Sequence, residues 1–359
     1  MEKLSTTHFA PETTYLNTAS AGLLPAPAVA AMAGAVEDTA AGRSLTVHYE
    51  AVEAARASYA RLVGVAAERV AAGGSVAVYA GLIAQSLPPG SEVLVAEGDF
   101  SSLVNPFHMR PDLTVRTVPL EKLPDAVRPG TALVAVSAVQ SADGRIADLD
   151  AVAAAAGAHG ARTFIDVSQA AGWLTLDAND YDYTAAVCYK WLLCPRGAAF
   201  LTTPADPTDP AVTPLTPSFA GWVSGEQPWD SCYGAVEELA QSARRFDESP
   251  SLYSYVAARH SLALIEELGV DAIGAHDRAL ADRFRRGLAG LGHTPVPAEG
   301  SAIVSVPGLG GHAADLAEQG IQLSNRAGNL RAAFHLYNTE ADVDRLLEVV
   351  GTDRAGRTQ

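Results

Sequence analysis

Cysteine and aromatic residues are scarce in this sequence. Its 359 residues include three cysteines, Cys188, Cys194 and Cys232, which form neither a disulfide framework nor a Cys-x-x-Cys metal pattern. Cys188 and Cys194 lie in an apolar stretch and are expected to be small buried residues. Aromatic residues make up 7% of the chain and apolar residues 48%, so the core must consist largely of Ala, Val and Leu. That mixture is typical of Ala-rich helices packed on Val-rich strands.

Positive charge and long apolar runs are also scarce. The chain has 25 Lys and Arg residues against 41 Asp and Glu residues, a formal charge of −16, which argues against nucleic acid and anionic membranes as partners. No apolar run approaches the length of a membrane-spanning helix, and the opening residues MEKLSTTHFAPETT lack the apolar core of a secretion signal. We therefore expect a cytoplasmic protein with no metal site.

Helical and strand patterns alternate along the first two thirds of the chain. Ala-rich helical patterns cover residues 26–42, 49–63, 75–86 and 149–159. Short Val-rich runs predict buried strands at residues 92–96, 132–138, 163–167, 185–188 and 198–202. This alternation predicts an α/β fold with a mostly parallel sheet between helices.

The C-terminal third has a different pattern. After a surface excursion at residues 204–217, the turn-rich segment at 244–251 interrupts the helical and strand patterns. Two long helical patterns, a strand at 302–306 and a final helix near 340–349 follow it. We therefore predict a large domain over residues 1–248, including the N-terminal segment, and a smaller α+β domain over residues 249–359.

Asp166 and Lys190 carry the strongest chemical signal. Asp166 ends a buried strand pattern, and Lys190 follows 24 residues later between Tyr189 and Trp191. Burying a carboxylate at the end of a strand costs free energy unless a cation pairs with it. Burial of a lysine likewise disfavours its charged ammonium form. Such a lysine is suited to forming a Schiff base, and the carboxylate to holding a pyridinium N–H. Taken alone, each residue has a structural alternative to a chemical role. Asp166 could cap a helix, and Lys190 could pack beside an aromatic ring.

The motifs around these residues resemble those of a known family. The segment 164–172 contains D-x-x-Q, Tyr189-Lys190 follows, and the match extends from YLNTA at 15–19 to FHLYNT at 334–339. The chain resembles the class V aminotransferase group of fold-type I pyridoxal 5′-phosphate (PLP) enzymes. That group includes kynureninases, cysteine desulfurases, isopenicillin-N-epimerase-like proteins and ergothioneine-pathway C–S lyases. The resemblance implies a PLP cofactor, an amino-acid substrate and a homodimer.

The resemblance also implies roles for single residues. Asp166 would pair with the pyridine nitrogen, and Lys190 would hold the cofactor as an internal aldimine. Gln169 would hydrogen-bond the ring hydroxyl, Tyr189 would bind the phosphate, and Ser141 would also bind the cofactor.

A glycine turn before a helix is the expected phosphate cradle. Gly74 lets the backbone approach a phosphate, and the helix start offers free N–H groups. In the family a hydroxyl often occupies the position of Val76, so Ser75 is left as the side-chain donor. The run is not G-x-G-x-x-G, and no acidic ribose ligand follows the second strand, so a nicotinamide-dependent oxidoreductase is not supported.

Two aromatic residues are further cofactor candidates. Phe100 matches a position whose ring stacks on the cofactor in relatives, although a core Phe is an equal alternative. The resemblance places Trp222 of the Gly221-Trp222 pair near the phosphate, in the same chain or across the dimer interface, with plain packing as the alternative.

Three residues are candidates for binding the substrate. Arg331 matches the arginine that holds the substrate carboxylate, a task suited to the guanidinium fork, with a surface salt bridge as the alternative. Arg326 is a second candidate, and Asn17 in the YLNTA motif is a third.

The sequence leaves the reaction open. A route through an external aldimine and a quinonoid leads to side-chain elimination, transamination or epimerisation, depending on the step that follows. We favour a lyase that breaks a C–S or C–C bond, with a transaminase as the close alternative and an epimerase as a third. A non-catalytic PLP-binding protein is the remaining possibility. A desulfurase is disfavoured because no cysteine follows Cys232.

Overall fold

A computed structural model describes Leu4, residues 7–43 and residues 48–356, so the ends of both predicted domains lie partly outside the described residues. The strands are β1 (Thr14–Tyr15), β2 (Val70–Gly73), β3 (Glu92–Ala96), β4 (Thr114–Val118), β5 (Thr131–Ser137), β6 (Arg162–Asp166), β7 (Tyr183–Val187), β8 (Ala199–Thr202), β9 (Ile303–Val306), β10 (Ile321–Gln322), β11 (Ser324–Arg326) and β12 (Asn329–Ala333). The helices are α1 (Ala26–Ala40), α2 (Tyr49–Leu62), α3 (Val76–Ser86), α4 (Ser101–His108), α5 (Leu123–Ala126), α6 (Leu149–His159), α7 (Leu252–Leu268), α8 (Val270–Gly290), α9 (Ala313–Glu318) and α10 (Glu340–Gly356).

The central sheet has seven strands in the order β2-β8-β7-β6-β5-β3-β4. Its strands pair in parallel from β4 to β7, whereas β8 runs antiparallel to both β7 and β2. The chain between β7 and β8 contains no helix that crosses the sheet, and parallel neighbours require such a crossover. The predicted α/β fold with a mostly parallel sheet is confirmed.

Apolar residues of this sheet form a core on each face. Val93 and Val95 of β3 pack in one cluster, and Leu94 and Ala96 pack in the other. Successive side chains of a strand point to opposite faces, so a continuous apolar run such as EVLVA suits a strand covered by helices on both sides. Each fully buried Val or Leu contributes about 1.5–3 kcal/mol.

A smaller three-stranded sheet, β11-β12-β9, holds the C-terminal part of the chain. Its core includes residues of α8, α9 and α10, together with Leu16 from the N-terminal segment. Helix α7, by contrast, packs against α1 and α2. The domain boundary at 248/249 stays a prediction.

The hairpin β11–β12 places two arginines on one face. Ser324 pairs with Arg331, and Arg326 pairs with Asn329, across a two-residue turn. Residues two apart on a strand share a face, so Arg326 lies on the same face as Ser324 and its partner Arg331. The turn residue Ala327 has a φ of 50°, which a tight hairpin of this type requires.

The predicted helices and strands agree with the observed ones to within a few residues, apart from the longer α10. The sequence patterns missed α4, the edge strand β4 and the hairpin β11–β12. The residues of β4 are exposed or half-buried Thr, Val and Arg, which give no continuous apolar run. No helix among the described residues is long and apolar enough to cross a membrane.

Candidate active site

Part of the predicted set of site residues converges at the carboxyl ends of the parallel strands, where α/β folds bind ligands. Asp166 ends β6, Lys190 follows β7, Phe100 follows β3 and Gly74 follows β2. They line a cavity of about 330 Å³, within the range of small-molecule sites of about 300–1,000 Å³. The cavity is lined by Gly74, Ser75, Val76, Ala77, Phe100, Ser102, Asp166, Ser168, Val187, Tyr189, Lys190, Arg196 and Gly197.

Lys190 is a buried amine that faces this cavity. The residue is 5% exposed, and its Nζ forms no ion pair with any described residue. The pKa of Lys190 is lowered to about 8, because burial and repulsion from Arg331 and Arg196 outweigh the attraction of Asp166. About a tenth of the lysine is therefore uncharged at pH 7, far more than of a lysine with an ordinary pKa, and this fraction can act as a nucleophile.

Asp166 is the buried carboxylate of the same cavity. Its Oδ1 accepts a hydrogen bond from the backbone N–H of Ser168 at 2.8 Å. Burial raises the pKa of Asp166, while the attraction of Lys190 and the bond from Ser168 lower it. A cation placed against this carboxylate would stabilise its ionised form, as a pyridinium N–H does.

The glycine turn forms another part of the cavity wall. Helix α3 begins at Val76 with Ser75 as its N-cap, and the Ser75 hydroxyl accepts from the Val78 N–H at 3.4 Å. The first N–H groups of a helix have no partner within it and favour an anion. A side chain at Gly73 would meet the Tyr79 hydroxyl at 2.6 Å, so this position requires glycine. The start of α3 thus suits a phosphate.

Two aromatic rings border the lysine. The Nζ of Lys190 lies 5.1 Å from the ring centroid of Phe100 and 5.8 Å from that of Tyr189. Phe100 is 41% exposed, so it is not a core residue. The cavity thus combines an amine with a lowered pKa, a carboxylate, a flat aromatic wall and an anion cradle, and these features fit PLP.

Gln169 lies behind the cavity rather than on its wall. Its Nε2 donates to Ala19 O and to Ser141 Oγ, both at 2.9 Å, and its Oε1 accepts from Trp191 Nε1 at 2.8 Å. Both amide hydrogens are therefore engaged. A bond from Gln169 to a ring hydroxyl would replace the one to Ser141, so the roles of both residues stay predictions.

Arg331 is a buried guanidinium held by hydroxyl and carbonyl groups. It is 1% exposed and donates to Ser324 Oγ at 3.2 Å, Ser20 Oγ at 2.8 Å, Ser141 Oγ at 3.1 Å and Ser141 O. No described carboxylate pairs with it, and burial lowers the pKa of Arg331 to about 9. A buried cation without a counter-ion is costly, and a substrate carboxylate would supply one.

The other two substrate candidates differ in exposure. Arg326 is exposed and donates to the same Ser20 Oγ at 3.0 Å. Repulsion from it contributes to the lowered pKa of Arg331. Asn17 is half-buried, and its Oδ1 is buried without a hydrogen-bond partner among the described residues. Arg326 thus lies beside Arg331, whereas the role of Asn17 stays a prediction.

Trp222 lies in a different place from the other cofactor candidates. Its ring packs against Tyr49 and Trp229, with ring centroids 5.6 and 5.0 Å apart. These three rings line a separate cavity of about 360 Å³. Within one chain Trp222 therefore does not reach the cavity of Lys190, and a cofactor role would need a partner subunit.

A buried His–Asp pair supports the lysine loop, and the sequence motifs did not reveal it. His335 Nδ1 lies 2.8 Å from Asp277 Oδ2, and its Nε2 lies 3.0 Å from the carbonyl oxygen of Trp191. A carbonyl only accepts, so Nε2 carries a proton. On the other side a side chain at Gly22 would meet the Lys190 carbonyl at 2.1 Å. The loop is therefore fixed on two sides.

Other residues at the site also escaped the sequence motifs. Ser168 supports Asp166 and accepts from the Val187 N–H at 3.0 Å, and Ser20 joins the two arginines. Asp99 accepts from the Ser137 and Gln140 side chains. Ser168 lies within the D-x-x-Q motif, which is the signal that would have indicated it.

The sequence is similar to those of a known family and of two known proteins. The sequence model of the family described as Aminotransferase class-V matches residues 14–346. The uncharacterized aminotransferase YcbU of Bacillus subtilis is 26% identical over 318 residues, covering 84% of this chain and 83% of its own. Isopenicillin N epimerase of Amycolatopsis lactamdurans is 27% identical over 384 residues, covering 95% of each chain.

Solved structures share the fold. The cystine C–S lyase C-DES is similar with a TM-score of 0.84 and 23% identity, covering 95% of this chain and 97% of its own. The cysteine desulfurase of Thermococcus onnurineus NA1 is similar with a TM-score of 0.82 and 21% identity, covering 96% and 95%. The chain belongs to the class V aminotransferase family of fold-type I enzymes, and its cofactor is PLP.

Proposed function

We propose that this enzyme is a side-chain lyase, which breaks a C–S or C–C bond of an L-amino acid. The observation that supports an amino-acid substrate is the buried, uncompensated Arg331 beside a lysine whose pKa is about 8. Resemblance of Phe100, Tyr189 and the Gly221-Trp222 pair to kynureninase-type motifs supports the lyase branch.

Each residue has a defined task in this proposal. Lys190 Nζ holds PLP covalently, the first turn of α3 and Tyr189 bind its phosphate, and Asp166 holds a proton on the ring nitrogen. Bound PLP withdraws electrons from the substrate Cα when a bond there breaks. Arg331 orients the substrate carboxylate, and the freed Lys190 amine removes the proton from Cα.

The bases around the cavity favour a lyase or a transaminase over an epimerase that uses two bases. Among the described lining residues, Lys190 is the one amine, and no histidine lines the cavity. Removing and returning a proton on opposite faces of Cα needs a second group. A transaminase, which also works with one lysine, is therefore the second candidate.

Product analysis separates these reactions. PLP-loaded protein is incubated with cysteine, cystine, cysteine S-conjugates, kynurenine and alanine, with and without a 2-oxo acid. A lyase releases the side-chain fragment without an amino acceptor. Conversion that requires the 2-oxo acid would instead establish a transaminase, and loss of optical activity alone an epimerase.

Cysteine is included because desulfurases share this fold. The last cysteine of the sequence, Cys232, is exposed and lies outside the residues that line the Lys190 cavity. We therefore expect no persulfide on Cys232, and Cys232→Ser should leave turnover unchanged. Loss of sulfur release in Cys232→Ser would establish a desulfurase mechanism.

We further propose a homodimer. Trp229 is 59% exposed and Tyr233 is 95% exposed, and aromatic residues are enriched at protein interfaces. Light scattering should give twice the chain mass. A fully active monomer would contradict the proposal. The cytoplasmic location stays a prediction from the sequence.

A further inference from the structure

Arg196 is a second arginine of the active site, and no sequence motif indicated it. It follows Lys190 by six residues and lines the same cavity. Its guanidinium carbon lies 4.0 Å from the ring centroid of Tyr189, a cation–π distance. The Tyr189 ring thus holds the guanidinium at the cavity wall.

Arg196 has no counter-ion within the described part of the chain. None of the ion pairs there includes it, although the sequence contains 41 acidic residues. By contrast, Arg145 pairs with both Glu121 and Asp143. A guanidinium that faces a cavity without a carboxylate suits an anionic ligand, for which its planar fork gives charge-assisted hydrogen bonds.

Two positions at the start of α3 offer no hydrogen-bond donor to a phosphate. Val76 contributes no hydroxyl, and the N–H of Gly74 already donates to Glu248 Oε2 at 2.9 Å. Glu248 also places a carboxylate near the cradle, which disfavours a phosphate there by like-charge repulsion. A nearby cation would therefore stabilise a phosphate bound at the start of α3. That need is greater here than in a cradle that has no acidic neighbour.

We propose that Arg196, resting on Tyr189, binds the phosphate of PLP and replaces the hydroxyl that Val76 lacks. This role concerns cofactor binding alone and is independent of which bond the enzyme breaks. Tyr189 then has two tasks, since it binds the phosphate and positions the guanidinium.

The test compares PLP with pyridoxal, which has the same ring and aldehyde but no phosphate. Dissociation constants of both compounds are measured by absorbance titration of apoprotein for wild type and Arg196→Ala. We expect Arg196→Ala to weaken PLP binding at least about tenfold, which corresponds to about 1.4 kcal/mol. Pyridoxal binding should change less than about twofold, because it has no group for Arg196 to bind.

Matched variants control for folding and charge. Arg61→Ala removes an exposed arginine that pairs with Glu266 and should leave both constants unchanged. Arg196→Lys keeps a point charge and should keep part of the PLP affinity. Equal weakening of PLP and pyridoxal in Arg196→Ala, or no weakening of either, would overturn the proposal. Wild-type protein that bound neither compound would instead refute the cofactor assignment.

A double variant tests the replacement itself. Adding Val76→Thr to Arg196→Ala restores a hydroxyl at the start of α3. We expect it to recover at least about threefold of the lost PLP affinity, without improving pyridoxal binding. A double variant no better than Arg196→Ala would show that Arg196 does not replace that hydroxyl.

Discussion

The cavity around Lys190 and the cavity around Trp222 have similar volumes and different walls. The cavity of about 330 Å³ around Lys190 is lined by strand ends, the start of α3 and charged side chains. The cavity of about 360 Å³ around Trp222 is lined mainly by aromatic and aliphatic groups from α2 and a loop region, and the charged residues on its wall include Asp247 and Arg244, which pair with Arg56 and Glu226. Volume therefore does not identify the active site. Charged groups without a partner and free helix N–H groups identify the active site, because a bound ligand would pair with both.

The largest expected effect is the loss of covalent cofactor from the first cavity. The sequence contains three lysines, Lys3, Lys122 and Lys190, and Lys122 has a 67% exposed side chain. Borohydride reduction of the yellow holoenzyme should fix PLP to Lys190, and Lys190→Ala should carry no reducible adduct. Peptide mapping by mass spectrometry checks this. An adduct on another lysine would contradict the assignment of the cavity.

Asp166→Ala should give the next largest effect. Loss of the carboxylate removes the group that holds the ring proton, and we expect turnover to fall about 100-fold or more. Circular dichroism should show an unchanged fold, because no ion pair among the described residues depends on Asp166. Near-wild-type turnover in Asp166→Ala would count decisively against its role.

The lowered pKa of Lys190 predicts a pH dependence of cofactor capture. The uncharged amine is the nucleophile, so the capture rate should rise with pH and level off above about 8. Below that pH it should fall about tenfold for each unit. Stopped-flow absorbance after mixing apoprotein with PLP measures the rate. Asp166→Asn should shift the profile to lower pH, since the attraction of Asp166 raises the pKa of Lys190.

Arg331→Ala should weaken binding of carboxylate substrates by at least about tenfold, because a hydrogen bond to a charged group contributes about 1.5–3 kcal/mol. Arg331→Lys should rescue little, since an ammonium lacks the planar fork. Spectral titration with amino acids measures binding. The cofactor spectrum should stay intact, and an equal defect with amines that lack a carboxylate would make Arg331 structural.

The smallest effect on the cofactor is expected in the second cavity. Trp222→Ala removes ring contacts with Tyr49 and Trp229, each worth about 0.5–1.5 kcal/mol. The free energy of unfolding should therefore fall by about 1–3 kcal/mol. PLP affinity should change less than about twofold. A large loss of PLP affinity would show that Trp222 reaches the cofactor of a partner subunit and would join the two cavities into one site.

The local sequence determined much of the fold and the centre of the site. Continuous apolar runs such as those of β3 and β5 predict strands buried on both faces, and Ala-rich patterns predict the helices that cover them. The sequence also predicts Asp166 and Lys190 as site residues. Burying a charged group at the end of a strand costs free energy unless a partner or a ligand compensates its charge.

Tertiary structure alone decided which groups meet. The hydroxyl of Ser20 lies 311 residues away from Arg331 in the chain, and Asp277 lies 58 residues away from His335. The placement of Arg196 on Tyr189 and the separation of Trp222 from Lys190 likewise depend on how loops pack. The spacing of apolar residues along the chain predicts strands and helices, because these elements depend on residues that are close in sequence. Contacts between loops depend instead on packing across the whole sheet and leave no local pattern in the sequence.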